Sequence, residues 1–112
     1  MKYMMFVIVD PAAEAEAEAS DSDLTADDWV TEVEAKRITG DRLRPPEDAT
    51  TVRIHKGEVL VSDGPFTESK EWIAGFDILE CENLDEAIAV AARHPHANGG
   101  KLELRPFWPW DE

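Results

Sequence analysis

The first predicted strand has no polar face. Between Lys2 and Val9 both sets of alternating side chains are apolar: Tyr3, Met5, Val7 and Val9 on one face, and Met4, Phe6 and Ile8 on the other. Successive side chains of a β-strand point to opposite faces of the sheet, so this strand needs cover on both. The chain offers apolar patterns for only two helices, which cover one face. A second copy of the chain is the simplest cover for the other face, and a homodimer is expected.

Two helices are predicted from caps and apolar spacing. Thr25 is an N-cap followed by acidic residues, and the first helix runs from there to about Lys36, with Gly40 just past its end. The second helix begins at an Asn83 cap and stops before Pro95. The core-facing residues predicted from helical spacing are Trp29, Val30 and Val33 in the first helix and Leu84, Ala87, Ile88 and Ala91 in the second.

The remaining strands predict an α+β fold. A hairpin closed at Lys56-Gly57-Glu58 joins residues 50–55 to residues 59–62, and a longer strand spans residues 72–80, with a bulge or close backbone approach at Gly75. The last strand covers residues 101–105, with Leu102 and Leu104 inward. The resulting order is that of a ferredoxin-like βαββαβ domain with an added hairpin strand at residues 50–55. We expect one domain over residues 1–112.

The charge of the chain limits its partners. Twenty-five acidic and eleven basic residues give a formal net charge of -14, which repels phosphate backbones over a screening length of roughly 8 Å. A direct nucleic-acid partner is therefore not expected. Residues 11–23 are rich in Ala, Glu, Asp and Ser without an apolar period, and this segment is interpreted as a solvated acidic insertion.

No membrane or export segment is expected. The apolar run at residues 4–9 is too short for a signal-peptide core, and no stretch approaches the ~20 apolar residues of a membrane helix. Cys81 is the only cysteine, so an intrachain disulfide is excluded, and its place after an apolar run predicts a buried thiol. A cytoplasmic location is the simplest expectation.

The turn Asp63-Gly64-Pro65-Phe66 is the candidate site. Pro65 fixes its own torsion and favours an extended conformation at Gly64, so the turn is stiff. Asp63 lies at a strand end, and neighbouring side chains complete a predicted ligand-binding set: Arg53, Asp63, Phe66, Lys70 and Glu71. The alternative is that Asp63 bonds its own following amides as an Asx turn.

The histidines leave two interpretations open. His94 is the predicted acid–base partner of Asp63 in a catalytic pair, with His55 as a second choice. His94 also ends the second helix, where the dipole stabilises an imidazolium, so a structural role is equally compatible. His94 and His96 have no third predictable ligand, and no glycine-rich phosphate loop occurs. Neither a metal nor a cofactor is expected.

The C-terminal aromatic residues extend the dimer hypothesis. Phe107, Trp108 and Trp110 lie within four residues of each other near the end of the chain. Aromatic side chains this dense either fold back on their own core or pack on a partner subunit, because leaving them in water is unfavourable. Packing on a partner is the favoured interpretation.

Several segments together resemble a known family. Leu43-Arg44-Pro45-Pro46, the run VSDGPFTESKE at residues 61–71 and Glu103-Leu104-Arg105-Pro106 are similar to the DGPF domain, a branch of the YCII-related proteins. The resemblance covers roughly residues 1–10 and 40–107. It implies a ferredoxin-like domain that dimerises through its sheets, as a dimeric α+β barrel.

The resemblance also implies alternatives to a small-ligand or regulatory module. One is an enzyme, since the wider family is suspected of activity from a recurring histidine and aspartate; Asp63 can supply the aspartate. The family histidine lies on the first helix, however, and residues 29–37 contain none, so His94 is a substitute. The other is a protein partner in transcription, since DGPF domains also occur fused to sigma-factor-like domains.

Overall fold

The computed structural model describes residues 1–12, 25–66 and 69–109. In chain order the elements are β1 (Lys2–Val9), α1 (Ala26–Glu32), β2 (Arg37–Arg42), β3 (Thr50–His55), β4 (Glu58–Asp63), β5 (Trp72–Glu80), α2 (Leu84–Ala92) and β6 (Lys101–Pro106), with short 3-10 helices at Pro46–Asp48 and Pro95–Ala97. The predicted α+β class is confirmed. Most of the predicted acidic insertion lies outside the described residues. No helix within them is long and apolar enough to cross a membrane.

The strands form one four-stranded sheet and one separate hairpin. The sheet has the order β2-β5-β1-β6, and every neighbouring pair is antiparallel. Among the described residues, strands β3 and β4 pair only with each other, and we call residues 50–63 the arm. The arm closes through a two-residue turn in which both φ angles are positive, 50° at Lys56 and 82° at Gly57. These values match the twist of a tight antiparallel hairpin.

One face of the sheet carries the core. Side chains of β1 and β5 pack in one buried cluster with residues of both helices: Tyr3, Met5, Val7 and Leu79 from the strands, and Trp29, Val33, Ala87, Val90 and Ala91 from the helix side. The Trp29 Nε1 group donates a hydrogen bond to the Val90 carbonyl at 2.9 Å, which ties α1 to α2. Leu102 and Leu104 of β6 pack against the same cluster, as predicted.

The opposite face, which we call the open face, has no comparable cover from the residues that the structure describes. Its central side chains are Met4 and Phe6 of β1 and Phe76 and Ile78 of β5, all only half-buried and all outside the core cluster. The Arg105 guanidinium lies 5.6 Å from the centre of the Phe6 ring. In the described part of the chain, the two apolar faces of β1 are thus matched by core packing on one side alone. Cover of the open face by a second copy stays a prediction.

Strand β2 differs from the sequence prediction. Helix α1 ends at Glu32 instead of near Lys36, and Gly40, expected just past the helix, lies inside an edge strand opposite Asp77. The sequence Arg-Ile-Thr-Gly-Asp-Arg holds one large apolar residue, Ile38, which is 51% exposed. Backbone pairing with β5 holds this strand in place, and the strand has no apolar face of its own. Its sequence therefore lacks the alternation of apolar and polar residues that marks a strand.

The helix caps are confirmed, whereas the apolar stripe predicted for α2 is confirmed only at Ala87 and Ala91. The Thr25 side chain accepts from the Asp28 amide at 3.1 Å, and Asn83 accepts from the Glu86 amide at 2.9 Å. In α2, however, Leu84 and Ile88 are each 49% exposed, and the buried face is Ala87, Val90 and Ala91. Small residues on that face let the helix approach the sheet closely.

Two local predictions for β5 and its neighbourhood are confirmed. The register of β1 against β5 shifts next to Gly75, and a Cβ at Gly75 would lie 2.9 Å from the Asp41 carbonyl oxygen of β2. Cys81 is buried, 3% exposed, and burial raises the pKa of its thiol. A neutral thiol in this position packs as a small apolar group.

Candidate functional site

The Asp63-Gly64-Pro65-Phe66 turn joins the arm to the body of the protein. Gly64 has a φ of +98°, in the left-handed region and not in the extended region expected from the following proline. Its amide donates to the Ala49 carbonyl at 2.7 Å, and its carbonyl accepts from the Thr51 hydroxyl at 2.7 Å. The turn is therefore fixed by bonds across the root of the arm.

Asp63 does not form the Asx turn considered above. Such a turn needs the amide two residues on, and that residue is Pro65, which has no N–H group. The Gly64 amide is taken by Ala49. The Asp63 side chain is exposed at the end of β4, and its backbone pairs with Thr50 across the arm.

A cavity of about 600 Å³ lies beside this turn. Four segments distant in sequence form it: Ile8 of β1, residues 43–49, the second half of the turn, and residues 69–73 at the start of β5. The walls are mostly apolar and consist of Ile8, Leu43, Pro45, Pro46, Ala49, Pro65, Phe66, Trp72 and Ile73. Four polar residues complete the lining: Arg44, Asp48, Ser69 and Glu71. The site is therefore an apolar cleft with a few polar groups.

The charge of Glu71 in the cavity wall is compensated. The Glu71 Oε1 atom forms an ion pair with the Lys101 ammonium, which also lies 3.9 Å from Asp10 Oδ2. The hydrogen bond to Glu71 raises the pKa of Lys101, with the nearby carboxylate charges adding to the effect. Lys101 therefore remains a cation, and the cavity does not present Glu71 as a free acid or base.

The predicted ligand-binding set is divided by the fold. Phe66 and Glu71 line the cavity. Arg53 and Asp63 lie on the arm, and Lys70 is exposed; none of the three is part of the cavity lining. Sequence reasoning did not assign Leu43-Arg44-Pro45-Pro46 to the site. The rigid Pro-Pro pair next to a large apolar residue is the signal that marks it as a wall.

His94 lies just past the C-terminal end of α2, in contact with Trp29. The imidazole is 7% exposed, and its ring centre is 4.8 Å from the Trp29 ring in an edge-to-face arrangement. Its Nδ1 accepts a hydrogen bond from the His96 amide at 3.0 Å, which caps the 3-10 helix at Pro95–Ala97. Burial, with a smaller effect from His96, lowers the pKa of His94 to about 4. The expected imidazolium is therefore wrong: at neutral pH the ring is neutral.

Acidification is expected to destabilise the protein through His94. The folded-state pKa of about 4 lies below the ordinary 6.5, so the unfolded chain binds a proton that the folded state excludes as the pH falls through this interval. Between pH 7 and pH 5 the loss is roughly 1–2 kcal/mol. Urea unfolding of the wild type and of His94→Gln at both pH values measures it as a difference. An NMR titration midpoint of the His94 ring near 6.5 would contradict the burial effect.

Comparison with known proteins decides the family. A model of the YCII-related domain matches residues 1–111, essentially the whole chain. The chain belongs to the YCII-related family. An uncharacterised protein of Rhizobium meliloti (strain 1021) is 45% identical over 68 residues, which are 59% of this YCII-related chain and 55% of that protein. The chain thus matches about half the length of this relative, whose name assigns no activity.

Proposed function

We propose that this YCII-related protein is a homodimeric module that binds a small, mostly apolar molecule in the cavity beside the Asp63-Gly64-Pro65-Phe66 turn. The observation that carries the proposal is the cavity itself, a cleft of about 600 Å³ with nine apolar and four polar lining residues. Sites for small ligands in proteins commonly measure about 300–1,000 Å³ and combine apolar walls with a few polar groups. An aromatic or alicyclic compound with one polar group fits this composition.

The polar side of the cavity supports a limited role for charge in binding. Glu71 is already paired with Lys101, and the remaining charged lining residues, Arg44 and Asp48, are exposed and of opposite sign. Exposed charges of both signs contribute little net field, so apolar contact supplies most of the binding free energy. Arg44 is the side chain suited to an anionic substituent of the ligand.

The dimer in this proposal rests on the sheet. We take the domain to be ferredoxin-like, supported by the strand order β2-β5-β1-β6 with a helix after β1 and another after β5. Met4, Phe6, Phe76 and Ile78 give the open face an apolar centre. Burial of such a face against a second sheet follows the packing of two-layer domains.

The two other hypotheses receive less support. A catalytic pair of Asp63 and His94 needs the two groups within hydrogen-bond reach of one substrate, whereas Asp63 is at the arm root and His94 packs on Trp29. A transcription-related protein partner has no surface in the described residues that favours it over a second copy of the chain. Ligand binding is the function to test first.

Binding of 8-anilinonaphthalene-1-sulfonate, an apolar ring system with one anionic group, tests the cavity. We expect one equivalent to bind per chain in the wild type. Ala49→Trp places a large side chain in the cavity wall and is expected to weaken binding at least about tenfold, a change of about 1.4 kcal/mol. Ala92→Trp is the matched control, because Ala92 is exposed at the end of α2 and outside the lining.

Isothermal titration calorimetry gives both affinity and stoichiometry for these three proteins. Equal affinity in the wild type and in Ala49→Trp would reject the cavity as the binding site. Sedimentation velocity on the same samples at micromolar concentration tests the dimer separately, and a monomer mass for the wild type would reject that part of the proposal.

A further inference from the structure

We infer that the arm docks its apolar face on a second copy of the chain, and that this contact fixes the wall of the cavity. The inference rests on the homodimer proposed above and extends it. It states which molecule covers the apolar face of the arm. It also links the oligomeric state to ligand binding through the arm root, the residues that join β3 and β4 to the body of the chain.

The arm has an apolar face without cover in the described part of the chain. Two cross-strand pairs, Val52 with Val61 and Ile54 with Val59, put four aliphatic side chains on one face. Their exposures are 61%, 63%, 72% and 64% in that order. Alternation of this kind is the pattern of a strand whose apolar face is buried, yet here the face is in solvent.

The arm also lacks support from the main sheet. Within residues 1–12, 25–66 and 69–109, strands β3 and β4 pair only with each other, and two-stranded ribbons alone are marginally stable in water. The radius of gyration of the chain is 16.4 Å, against about 13 Å for a compact domain of this length. The smallest dimension is 19 Å. The chain is therefore a thin body with a projecting arm, and both apolar faces lie on its surface.

Charge favours a second copy of the chain as the partner that covers the arm. The arm carries Arg53 and Lys56 against Glu58 and Asp63, two basic and two acidic residues, so its formal charge is zero. The whole net charge of -14 therefore resides in the rest of the chain. Two bodies with that charge repel, whereas the neutral arm adds no net charge of its own when it approaches the acidic body of another copy, where Arg53 and Lys56 can pair with carboxylates.

The area needed for a stable dimer also favours this arrangement. A six-residue ribbon is about 20 Å long and about 10 Å wide, so two docked arms bury on the order of 800 Å² counting both partners. Two open faces of similar length and four strands add on the order of 800 Å². The sum reaches the ~1,600 Å² of a standard interface, which neither surface reaches alone.

The arm root connects this contact to the cavity. Ala49 precedes β3, and Pro65 and Phe66 follow β4; all three line the cavity, and Phe66 is 90% exposed. The Gly64 amide and the Ala49 carbonyl bond the two sides of the root at 2.7 Å. Because these bonds make the root one unit with the arm, an arm held by a partner also fixes the position of three cavity residues relative to the body of the chain, whereas in a free arm the three residues move together with the arm.

Two matched double variants test the contact. Val52→Lys with Val59→Lys adds two charges to the apolar face, whereas His55→Lys with Ser62→Lys adds two lysines to the opposite face of the same arm. Only the first pair is expected to shift the sedimenting species toward monomer. It is also expected to weaken anilinonaphthalene sulfonate binding about five- to tenfold, although neither residue lines the cavity. Circular dichroism of each variant verifies that the chain is folded.

Isotope-mixed cross-linking locates the arm in the wild-type protein. Chains labelled with ¹⁵N and unlabelled chains are unfolded together, refolded and treated with a carbodiimide, which joins amines to carboxylates without a spacer. Lys56 is the only lysine of the arm. We expect the cross-linked peptides that contain Lys56 to include pairs that combine one labelled and one unlabelled chain, beside the same-isotope pairs that random mixing also produces.

The outcomes separate this inference from the proposed function. If Lys56 joins only peptides of the same isotope and the apolar-face variant remains dimeric, the arm inference is overturned while the dimer and the cavity stand. If Lys56 joins mixed isotopes but Ala49→Trp binds the probe as the wild type does, the cavity proposal fails and the link from arm to ligand fails with it. A monomeric wild type overturns the arm contact outright.

Discussion

Replacing Gly40 by alanine is expected to lower the free energy of unfolding by at least about 3 kcal/mol. A Cβ at this position would lie 2.3 Å from Asp77 Oδ1, 2.5 Å from the Phe76 carbonyl oxygen and 2.7 Å from a terminal guanidinium nitrogen of Arg37. The carbonyl belongs to the neighbouring strand and cannot rotate away. Alanine therefore forces β2 away from β5 and disrupts the Arg37–Asp77 ion pair together.

Gly57→Ala is the control for the loss of a glycine as such. Gly57 has a φ of +82° in the arm turn, and a Cβ there meets nothing within 4 Å. Its replacement therefore costs only the backbone penalty of a left-handed alanine, about 1 kcal/mol. Urea unfolding followed by circular dichroism compares the variants. Equal losses for Gly40→Ala and Gly57→Ala would show that the close approach at Gly40 is without consequence.

Elements with local signals could be predicted from the sequence, and β2 shows the limit. The caps at Thr25 and Asn83, the Lys56-Gly57 turn and the strand at Trp72–Glu80 each have residues whose chemistry favours the observed structure. Strand β2 lacks such residues, because its position depends on Asp77 and Gly75 of a strand more than thirty residues away. Local sequence propensity contains no information about a neighbouring strand that is so distant in the sequence.

The site was predictable only in part, for a similar reason. The Asp63-Gly64-Pro65-Phe66 turn marks one wall of the cavity, but the other walls come from residues 43–49 and the start of β5. The failure of the Asx turn could have been read from the sequence, since Pro65 has no amide hydrogen. The neutral state of His94 could not, because it follows from burial against Trp29, which is sixty-five residues earlier in the chain.

The second large loss of stability is expected when the buried Arg37–Asp77 ion pair is broken. Arg37 Nε lies 2.7 Å from Asp77 Oδ1, and the two side chains are 20% and 8% exposed. Burial raises the pKa of Asp77, while the hydrogen bond and the charge of Arg37 lower it in part. Arg37→Met removes both compensating effects and leaves a buried carboxylate without its partner. The expected loss at pH 7 is about 3–5 kcal/mol.

The pH dependence of this loss has a defined sign. With a raised pKa, the folded protein binds the Asp77 proton more tightly than the unfolded chain, so stability falls as the pH rises from the ordinary value of 3.8 through the folded-state pKa. Without Arg37 the folded-state pKa rises further. The difference in unfolding free energy between wild type and Arg37→Met is therefore expected to be largest at neutral pH and to shrink on acidification, as Asp77 becomes protonated.

Arg93→Met provides the matched control. Arg93 forms an ion pair of similar length with Glu32, 2.6 Å, but the side chains are 61% and 39% exposed, so its loss is expected to cost less than ~1 kcal/mol. The double variant Arg37→Met with Asp77→Leu removes the unpaired buried carboxylate and is expected to recover much of the stability lost by Arg37→Met alone. Urea unfolding of all four proteins between pH 4.5 and pH 8 measures these differences. If the loss of stability in Arg37→Met is independent of pH and is not recovered in the double variant, the effect is due to packing instead of charge.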